Sequence, residues 1–475
     1  PAGAAAAAAE GGPSVAVVGA GPVGLLAAIA LFRRGYRKVR VFDRLARPAP
    51  PDAASWGDAE RSYNLGIGER GLKALQRFEV LDTVDRWSQT VLGRMDYKQD
   101  GSGPALTLQK KRMPSRILAR DRLSSCIYED LLRTCPGVQV EFSVECEDVA
   151  FHPGGATLKM QQCVPLKDGA PGGGRTPEDE ECQVDGGPFS VDADVVIGAD
   201  GVNSMVREAM ERAGARTRKH AFRDRSPTVY KTLPVTMPAG SRLDLNYGTR
   251  LDGVGLEALP NVEGTLAGVV LFKPTDTRFT GMRTAGDARE CLESLFPDWP
   301  LPQLSEAELE AFAQRRVRNL PQFSYCGPSL NLGGRAVLLG DAIHSVKPYF
   351  GLGVNSGFED VSVLDDCIEG AGGDLERAFE GFSARRAPDA RALVESQYKL
   401  DQPTKLRTLL FFVGPLLLDT LCHKLLPSVF APSTLRLFGN SDFSFARIRA
   451  RKRRDRTLQF LALLALLWGG GAALR

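Results

Sequence analysis

Val15-Ala-Val-Val-Gly19-Ala-Gly21-Pro-Val-Gly24-Leu-Leu-Ala-Ala-Ile-Ala-Leu31, followed by Val39-Arg-Val-Phe-Asp43, decides the fold. An apolar run of strand length, a glycine-rich turn, an Ala/Leu-rich helix ending near Gly35 and a second apolar run make one βαβ unit. Gly19, Gly21 and Gly24 form GxGxxG, and Asp43 closes the second strand 19 positions after the last glycine. The first glycine permits the tight turn, the second admits a pyrophosphate against bare backbone, and the third lets helix and strand pack closely. The helix N-terminus offers free N–H groups to phosphate, and Asp43 is placed to accept from ribose hydroxyls. This motif predicts a dinucleotide without separating FAD from NAD.

The decision for FAD over NAD comes from two later segments. Gly198-Ala-Asp200-Gly201-Val-Asn203-Ser204-Met-Val-Arg207 follows a buried strand and opens a helix, which also fits an ordinary glycine turn with Ser204 or Asn203 as N-cap. Leu339-Gly-Asp341-Ala-Ile-His344-Ser-Val-Lys-Pro348-Tyr-Phe-Gly351-Leu352-Gly353-Val-Asn355-Ser-Gly357-Phe-Glu-Asp360 ends a strand in an acid able to bind a polyol. Its Pro/Gly-rich loop then brings backbone amides up to something flat and polar. His344 suits a hydrogen-bonding scaffold better than a general base.

Around these motifs, residues 61–78 read as helical, and strand-like runs follow at 115–119, 138–142 and 193–198. Residues 228–274 alternate or run apolar without helical spacing and predict an antiparallel sheet in a second domain. The expected order is an Ala-rich disordered start (1–13), the first part of an FAD-binding domain (14–225) with a polar surface loop at 167–187, and a β-sheet substrate domain (226–325). The second part of the FAD-binding domain (326–385), a helical region (386–446) and a basic flank with a membrane anchor (447–475) complete it. The fold class is α/β: a Rossmann-type FAD-binding domain with an inserted antiparallel-sheet substrate domain and a helical C-terminal region.

Composition narrows the function. The 475 residues are 43% hydrophobic, enough for a sizeable core, and 60 Lys plus Arg against 57 Asp plus Glu leave a net charge of +3. Nothing chain-wide favours nucleic acid. Nine cysteines without a CxxC pair, and only four histidines, argue against a disulfide scaffold or a zinc site and for free thiols in a reducing compartment. Arg447, Arg449, Arg451, Lys452, Arg453, Arg454 and Arg456 precede 17 mostly apolar residues, 458–474. As a helix these span about 26 Å, so they predict a tail anchor with its basic flank cytosolic. A second apolar stretch, 409–418, interrupted by Gly414 and Pro415, reads as a buried or membrane-dipping helix rather than a span.

The three cofactor motifs, in this order, resemble the group A flavoprotein aromatic hydroxylases, and among them enzymes of the kynurenine 3-monooxygenase type. Shorter matches support the latter: Arg61-Ser-Tyr-Asn-Leu65 with Arg70-Gly71, Gly93-Arg-Met95, Phe296-Pro-Asp298, Pro348-Tyr-Phe-Gly351, Gly357-Phe-Glu-Asp360 and His423-Lys-Leu-Leu-Pro-Ser428. The resemblance implies FAD held by Gly19, Gly21, Gly24, Asp43, Arg120, Asp200, Gly201, Asp341, Pro348, Leu352, Gly353 and Asn355. Asp341 would take the ribityl chain, Asp200 and Gly201 would lie beside the pyrophosphate, and backbone amides at Leu352, Gly353 and Asn355 would face the flavin ring. Leu352 stands where relatives have glutamine.

The resemblance further implies NADPH as reductant, O2 as oxygen source and a small kynurenine-like aromatic as substrate, with no certain catalytic side chain because the cofactor carries the chemistry. Arg94 and Asn355 would bind substrate, Arg94 gripping a carboxylate with Arg70 as a lesser candidate. The partner tyrosine of the family is missing from Pro104-Ala-Leu-Thr-Leu108, and the family's Glu-Met-Arg segment is absent near Tyr398. By the same resemblance the enzyme faces the cytosol from a membrane, the mitochondrial outer membrane in the family's case. The rival readings are a membrane flavin reductase or dehydrogenase acting on an isoprenoid or quinone, and a non-enzymatic tethered flavoprotein.

Overall fold

The apolar strand Val15–Val18 sits at the centre of the first sheet because it is buried on both faces. It pairs in parallel with Val39–Asp43 on one side and Val195–Gly198 on the other, and the latter pairs with Ala336–Leu338. Strands Gln139–Phe142 and Asn331–Leu332 complete six strands. The computed structural model describes residues 12–57, 63–98, 100–109, 112–165, 182–184, 186–235, 240–297, 299, 304–402 and 404–473. Much of the expected Ala-rich start and of the 167–187 loop lies outside them, as do Arg61, Ser62 and Asp298.

The parallel order brings the ends of Val15–Val18, Val39–Asp43, Val195–Gly198 and Ala336–Leu338 to one edge, the crevice where open α/β sheets bind ligands. Helix Pro22–Arg33 packs against helix Leu352–Gly370 at close range: a Cβ on Gly357 would lie 2.6 Å from Val23 Cγ2.

The second sheet has seven strands, in the order Arg318–Asn319, Val229–Val235, Leu266–Phe272, Val254–Pro260, Leu245–Leu251, Gly93–Tyr97, Pro104–Leu108. Leu233, Leu245, Leu256, Val270 and their neighbours bury one face under helices Ala285–Leu295 and Glu306–Gln314. Both helices begin with a capping box, Thr284 with Asp287 and Ser305 with Glu308. The expected sheet at 226–325 is therefore extended by the hairpin 93–108, which lies within the stretch assigned to the first domain. That hairpin joins through a parallel pairing to Leu245–Leu251, a long-range contact with no local sequence signal. The helical reading of residues 61–78 is also corrected: strand Asn64–Ile67 precedes helix Glu69–Arg77, and Gly68 separates them. Cys163 departs from the free-thiol expectation, being disulfide-bonded, on a strand paired antiparallel with Cys182–Val184.

One buried cation joins the flavin-side loop to the C-terminal helices. Arg386, on helix Leu375–Leu400, is 1% exposed. It donates to Asp360 Oδ1 at 2.7 Å, Glu359 Oε2 at 3.0 Å, Asp389 Oδ2 at 3.0 Å and Ser356 Oγ at 3.0 Å. Asp389 in turn accepts from the Ala446 amide, which fastens helix Phe445–Ala473.

Residues 409–418 are not buried. They lie in Leu406–Leu425, a described helical stretch long and apolar enough to cross a membrane, with Leu409, Leu410, Phe411, Leu417 and Leu421 all exposed. A short helix, a π-helical turn at Leu409–Val413 and helix Gly414–Leu425 follow one another directly, with Pro415 just after the π-helical turn. Of the expected anchor at 458–474, the side chains from 466 onward lie outside the described residues, while Phe460, Leu461, Leu463 and Leu464 are exposed. Part of the basic flank is already paired: Arg449 with Glu395, Lys452 with Asp419 and Asp455, Arg456 with Asp419.

Replacing Arg386 with Met leaves Asp360 buried without its cation, so unfolding free energy should fall by about 3–5 kcal/mol. Denaturant unfolding of the two proteins checks this, and a loss under about 1 kcal/mol would show that the network is not the fastening described.

Candidate functional site

The turn after Val15–Val18 is shaped by contacts no side chain could share. Gly19 has φ +103°, and a Cβ there would lie 2.3 Å from the Ala199 carbonyl oxygen; a Cβ on Gly24 would lie 1.8 Å from the Gly19 oxygen. Gly21 differs, because a Cβ there would meet no atom within 4 Å. The space beside its Cα is therefore open. Gly201, at φ +81°, also faces open space. Helix Pro22–Arg33 starts at Gly21 with no side-chain cap, and helix Leu352–Gly370 starts at Gly351 with none. Two uncapped helix N-termini thus present backbone donors.

Asp43 accepts from the Ala20 amide at 2.6 Å and from the Leu45 amide at 2.8 Å, so its carboxylate is fixed beside the glycine turn. Burial pushes its pKa above the ordinary range, against those backbone bonds and the pull of Arg120. Asp341 is enclosed by protein yet open to solvent, the signature of a cleft wall. This enclosure raises its pKa, while His344 and Arg120 act the other way. Arg120 lies 3.8 Å from Asp121 and in the field of Tyr63, Asp341 and Asp43. One guanidinium therefore serves carboxylates at two strand ends. A Cβ on Gly353 would lie 4.0 Å from Asp341 Oδ1, which places the loop amides opposite that acid. Pro348 opens an exposed turn in the same loop, and Leu352 is buried.

Several expected site residues have structural duties. Asp200 Oδ2 accepts from the Val206 amide at 3.1 Å, at the start of helix Met205–Arg212, and Ser204 is that helix's N-cap. The N-cap reading of this segment is thus borne out for Ser204, while Asp200 Oδ1 is buried with no hydrogen-bond partner among the described residues. Asn355 Oδ1 accepts from the Gly68 and Gly71 amides at 2.8 and 3.2 Å, and its Nδ2 donates to the Gly66 and Gly351 carbonyls at 2.9 and 2.5 Å. That side chain is a clamp with no donor left for a substrate, which corrects the substrate-binding expectation, and its backbone amide, four residues into the helix that Gly351 caps, falls within the intrahelical ladder. His344 is fully buried, its Nε2 2.9 Å from Asp360 and 3.2 Å from Ser356, a scaffold residue.

Arg94 and Arg70 are both occupied. Arg70 is 4% exposed and donates to Glu359 and to the Phe438, Asn440 and Phe443 carbonyls, so it cannot meet a substrate carboxylate. Arg94 donates to Glu257 Oε2 at 2.7 Å and Oε1 at 3.1 Å, and to Asp96 Oδ1 at 2.5 Å. Burial works against its charge, but Glu257 and then Asp96 outweigh this and hold its pKa above the usual arginine value. Sequence reading missed Glu257 and Arg386 because each acts through strands or helices distant in the chain.

Comparison with known proteins agrees with this geometry. Residues 178–395 match the family described as FAD binding domain. The chain is 30% identical over 458 residues to kynurenine 3-monooxygenase of Salinispora arenicola (strain CNS-205), covering 94% of this chain and 92% of that one. It is 32% identical over 392 residues to the enzyme of the same name from Stenotrophomonas maltophilia (strain K279a), covering 80% and 77%. Among solved structures, 2-methyl-3-hydroxypyridine-5-carboxylic acid oxygenase aligns with TM-score 0.60 at 20% identity, covering 84% of this chain and 95% of that one. Klebsiella pneumoniae HpxO complexed with FAD aligns with TM-score 0.60 at 17% identity, covering 90% and 97%. Fold and site define an FAD-dependent aromatic monooxygenase. Within that class, the chain belongs to the kynurenine 3-monooxygenase family.

Asp341→Ala should lower FAD affinity at least about tenfold, since hydrogen bonds to a charged group contribute roughly 1.5–3 kcal/mol each. Gly21→Ala should fold normally, its methyl meeting no protein atom, yet lose flavin. Titration at limiting FAD with a parallel melting curve checks both, and full occupancy in either variant would contradict the site.

Proposed function

We propose that the enzyme takes reducing equivalents from NADPH and oxygen from O2 to hydroxylate a small, electron-rich, kynurenine-like aromatic amine at a membrane surface. The observation that carries this reading is the crevice in which Gly21 and Gly201 face open space while Arg120 draws Asp43 and Asp341 into one field. FAD fits these residues: Gly19, Gly21, Gly24 and Asp43 at its adenosine end, Asp200 and Gly201 beside the pyrophosphate, Asp341 at the ribityl chain. Arg120, Pro348 and the backbone of Leu352, Gly353 and Asn355 border the ring.

When bound, the flavin supplies oxygen activation and transfer. The chain's own residues orient, enclose and exclude water. The Asn355 clamp fixes the loop amides against strand Asn64–Ile67, so they need no rearrangement to meet a polar ring edge. Asn64 donates to the Leu259 and Pro260 carbonyls and to Asn261 at 2.7 Å, which ties strand Asn64–Ile67 to the end of strand Val254–Pro260. The exposed apolar surface of 406–429 and 460–464 supports attachment to a bilayer, with no organelle implied.

In an aerobic NADPH assay, a suitable aromatic amine should accelerate NADPH consumption and yield a product one oxygen atom heavier. Quinone reduction with no oxygenated product would contradict the reading. In cell fractions, changing Leu410, Phe411 and Leu417 to Ser should move the enzyme toward the soluble fraction with flavin retained; unchanged pelleting under high salt would assign attachment elsewhere.

A further inference from the structure

Arg94 lies on the face of the seven-stranded sheet that the helices do not cover: Met95 and Tyr97 point to the helix side, and Arg94 and Asp96 alternate to the other. Its side chain crosses the neighbouring strand to reach Glu257. Gly248 makes this crossing possible, because a Cβ there would lie 1.9 Å from Arg94 Nη2. The register places Gly248 beside Asp96 on one side and Glu257 on the other, so cation, gap and both carboxylates form one row. Two contacts along the chain link the row to the loop before Leu352. Glu257 is followed two residues on by Leu259, whose carbonyl accepts from Asn64, and strand Asn64–Ile67 is clamped to the flavin loop by Asn355.

One guanidinium facing two carboxylates carries no spare positive charge, and the row nets one negative charge. Asn246, beside Arg94 in the strand register, adds a buried Oδ1 with no hydrogen-bond partner among the described residues, so it brings no positive charge to the row. Of the other cations on this face, Arg250 lies beside Gly255 near the exposed turn, at the end away from Leu259, and Arg318 lies on the edge strand Arg318–Asn319, paired with Tyr230. From this geometry we infer that Glu257 is a specificity-determining residue, which cancels Arg94 and selects an aromatic substrate whose polar end is an amine donor rather than a carboxylate. The inference rests on the monooxygenase reading above and narrows its substrate class. A carboxylate arriving here would have to displace Glu257 from a bidentate pair and stand beside two like charges, whereas an ammonium or amine meets acceptors already in place.

Kynurenine and kynuramine, which differ by the carboxylate alone, test it in the FAD-loaded full chain. The wild type should show a KM for kynuramine at least tenfold below that for kynurenine. Glu257→Gln, which keeps shape and removes charge, should free Arg94 and shrink or reverse that ratio at unchanged FAD content. Gly248→Ala, which drives Arg94 off Glu257 from the other side, should change the ratio in the same direction. A wild type that prefers kynurenine, or a ratio that Glu257→Gln leaves unchanged, would overturn the inference. If neither compound is oxygenated, the monooxygenase reading fails separately. The same ratio is then read from binding, by perturbation of the flavin absorbance, with the same outcomes for and against Glu257.

Discussion

A guanidinium cannot be buried unless every direction it faces is answered, and Arg386 is buried almost completely. Its carboxylate partners come from helix Leu352–Gly370 and from its own helix. Each has a second duty. Asp360 accepts from the Gly340 amide, one residue before the cleft acid Asp341, and binds His344 three residues after it. Glu359 also binds Arg70, which gathers the carbonyls at Phe438, Asn440 and Phe443. Asp389 holds the amide of Ala446 at the start of the last helix. One cation thus sets where Asp341 stands and where the C-terminal helices attach. Burial opposes the charge on Asp360, yet Arg386 and His344 keep its pKa below the usual carboxylate range, so the pair stays ionised together.

This fastening explains how a crevice lined by free backbone amides can be rigid. Helix starts without caps are ordinarily satisfied by water or ligand, and loops carrying them tend to move. Here the loop before Leu352 is held from below by the Asp360 and Arg386 network and from the side by Asn355. The donors are fixed before any ligand arrives, which spares the ordering cost on binding. Asp341 and Asp43, at different strand ends, share the field of Arg120, so like charges that line one cleft are tolerated.

What was legible in the sequence was local. The glycine turn, the acid at Asp43, the strand ending at Asp341 and the loop from Pro348 to Asn355 are short stretches whose chemistry is decided within a few residues. The dinucleotide-binding sheet followed from them. The misread pieces depend on partners far along the chain. Strand Asn64–Ile67 was hidden in a helical-looking stretch, because its pairing with Ser115–Ala119 and its bonds to Asn355 are supplied from elsewhere. The hairpin 93–108 reads as part of the first domain until Leu245–Leu251 pairs with it. Arg94 carries no mark in its own neighbourhood of Glu257, 163 positions away. Residues 409–418 fit a buried or a membrane-dipping helix by composition alike, and only their exposure separates the two.

These two kinds of legibility also separate the parts of the site that can drift. The proposed cofactor half relies on backbone amides and glycine gaps, so leucine at position 352, where relatives have glutamine, removes a side-chain donor but no backbone donor. The substrate half uses side chains reaching across strands, where one glycine and one carboxylate change the charge a ligand meets without disturbing the sheet. Gly248 adds no atoms to the cleft, yet by leaving out a methyl it lets Arg94 reach Glu257 and so removes the cation that a carboxylate would need. Family membership, established along most of the chain, therefore constrains the flavin chemistry far more tightly than it constrains the polar end of the substrate.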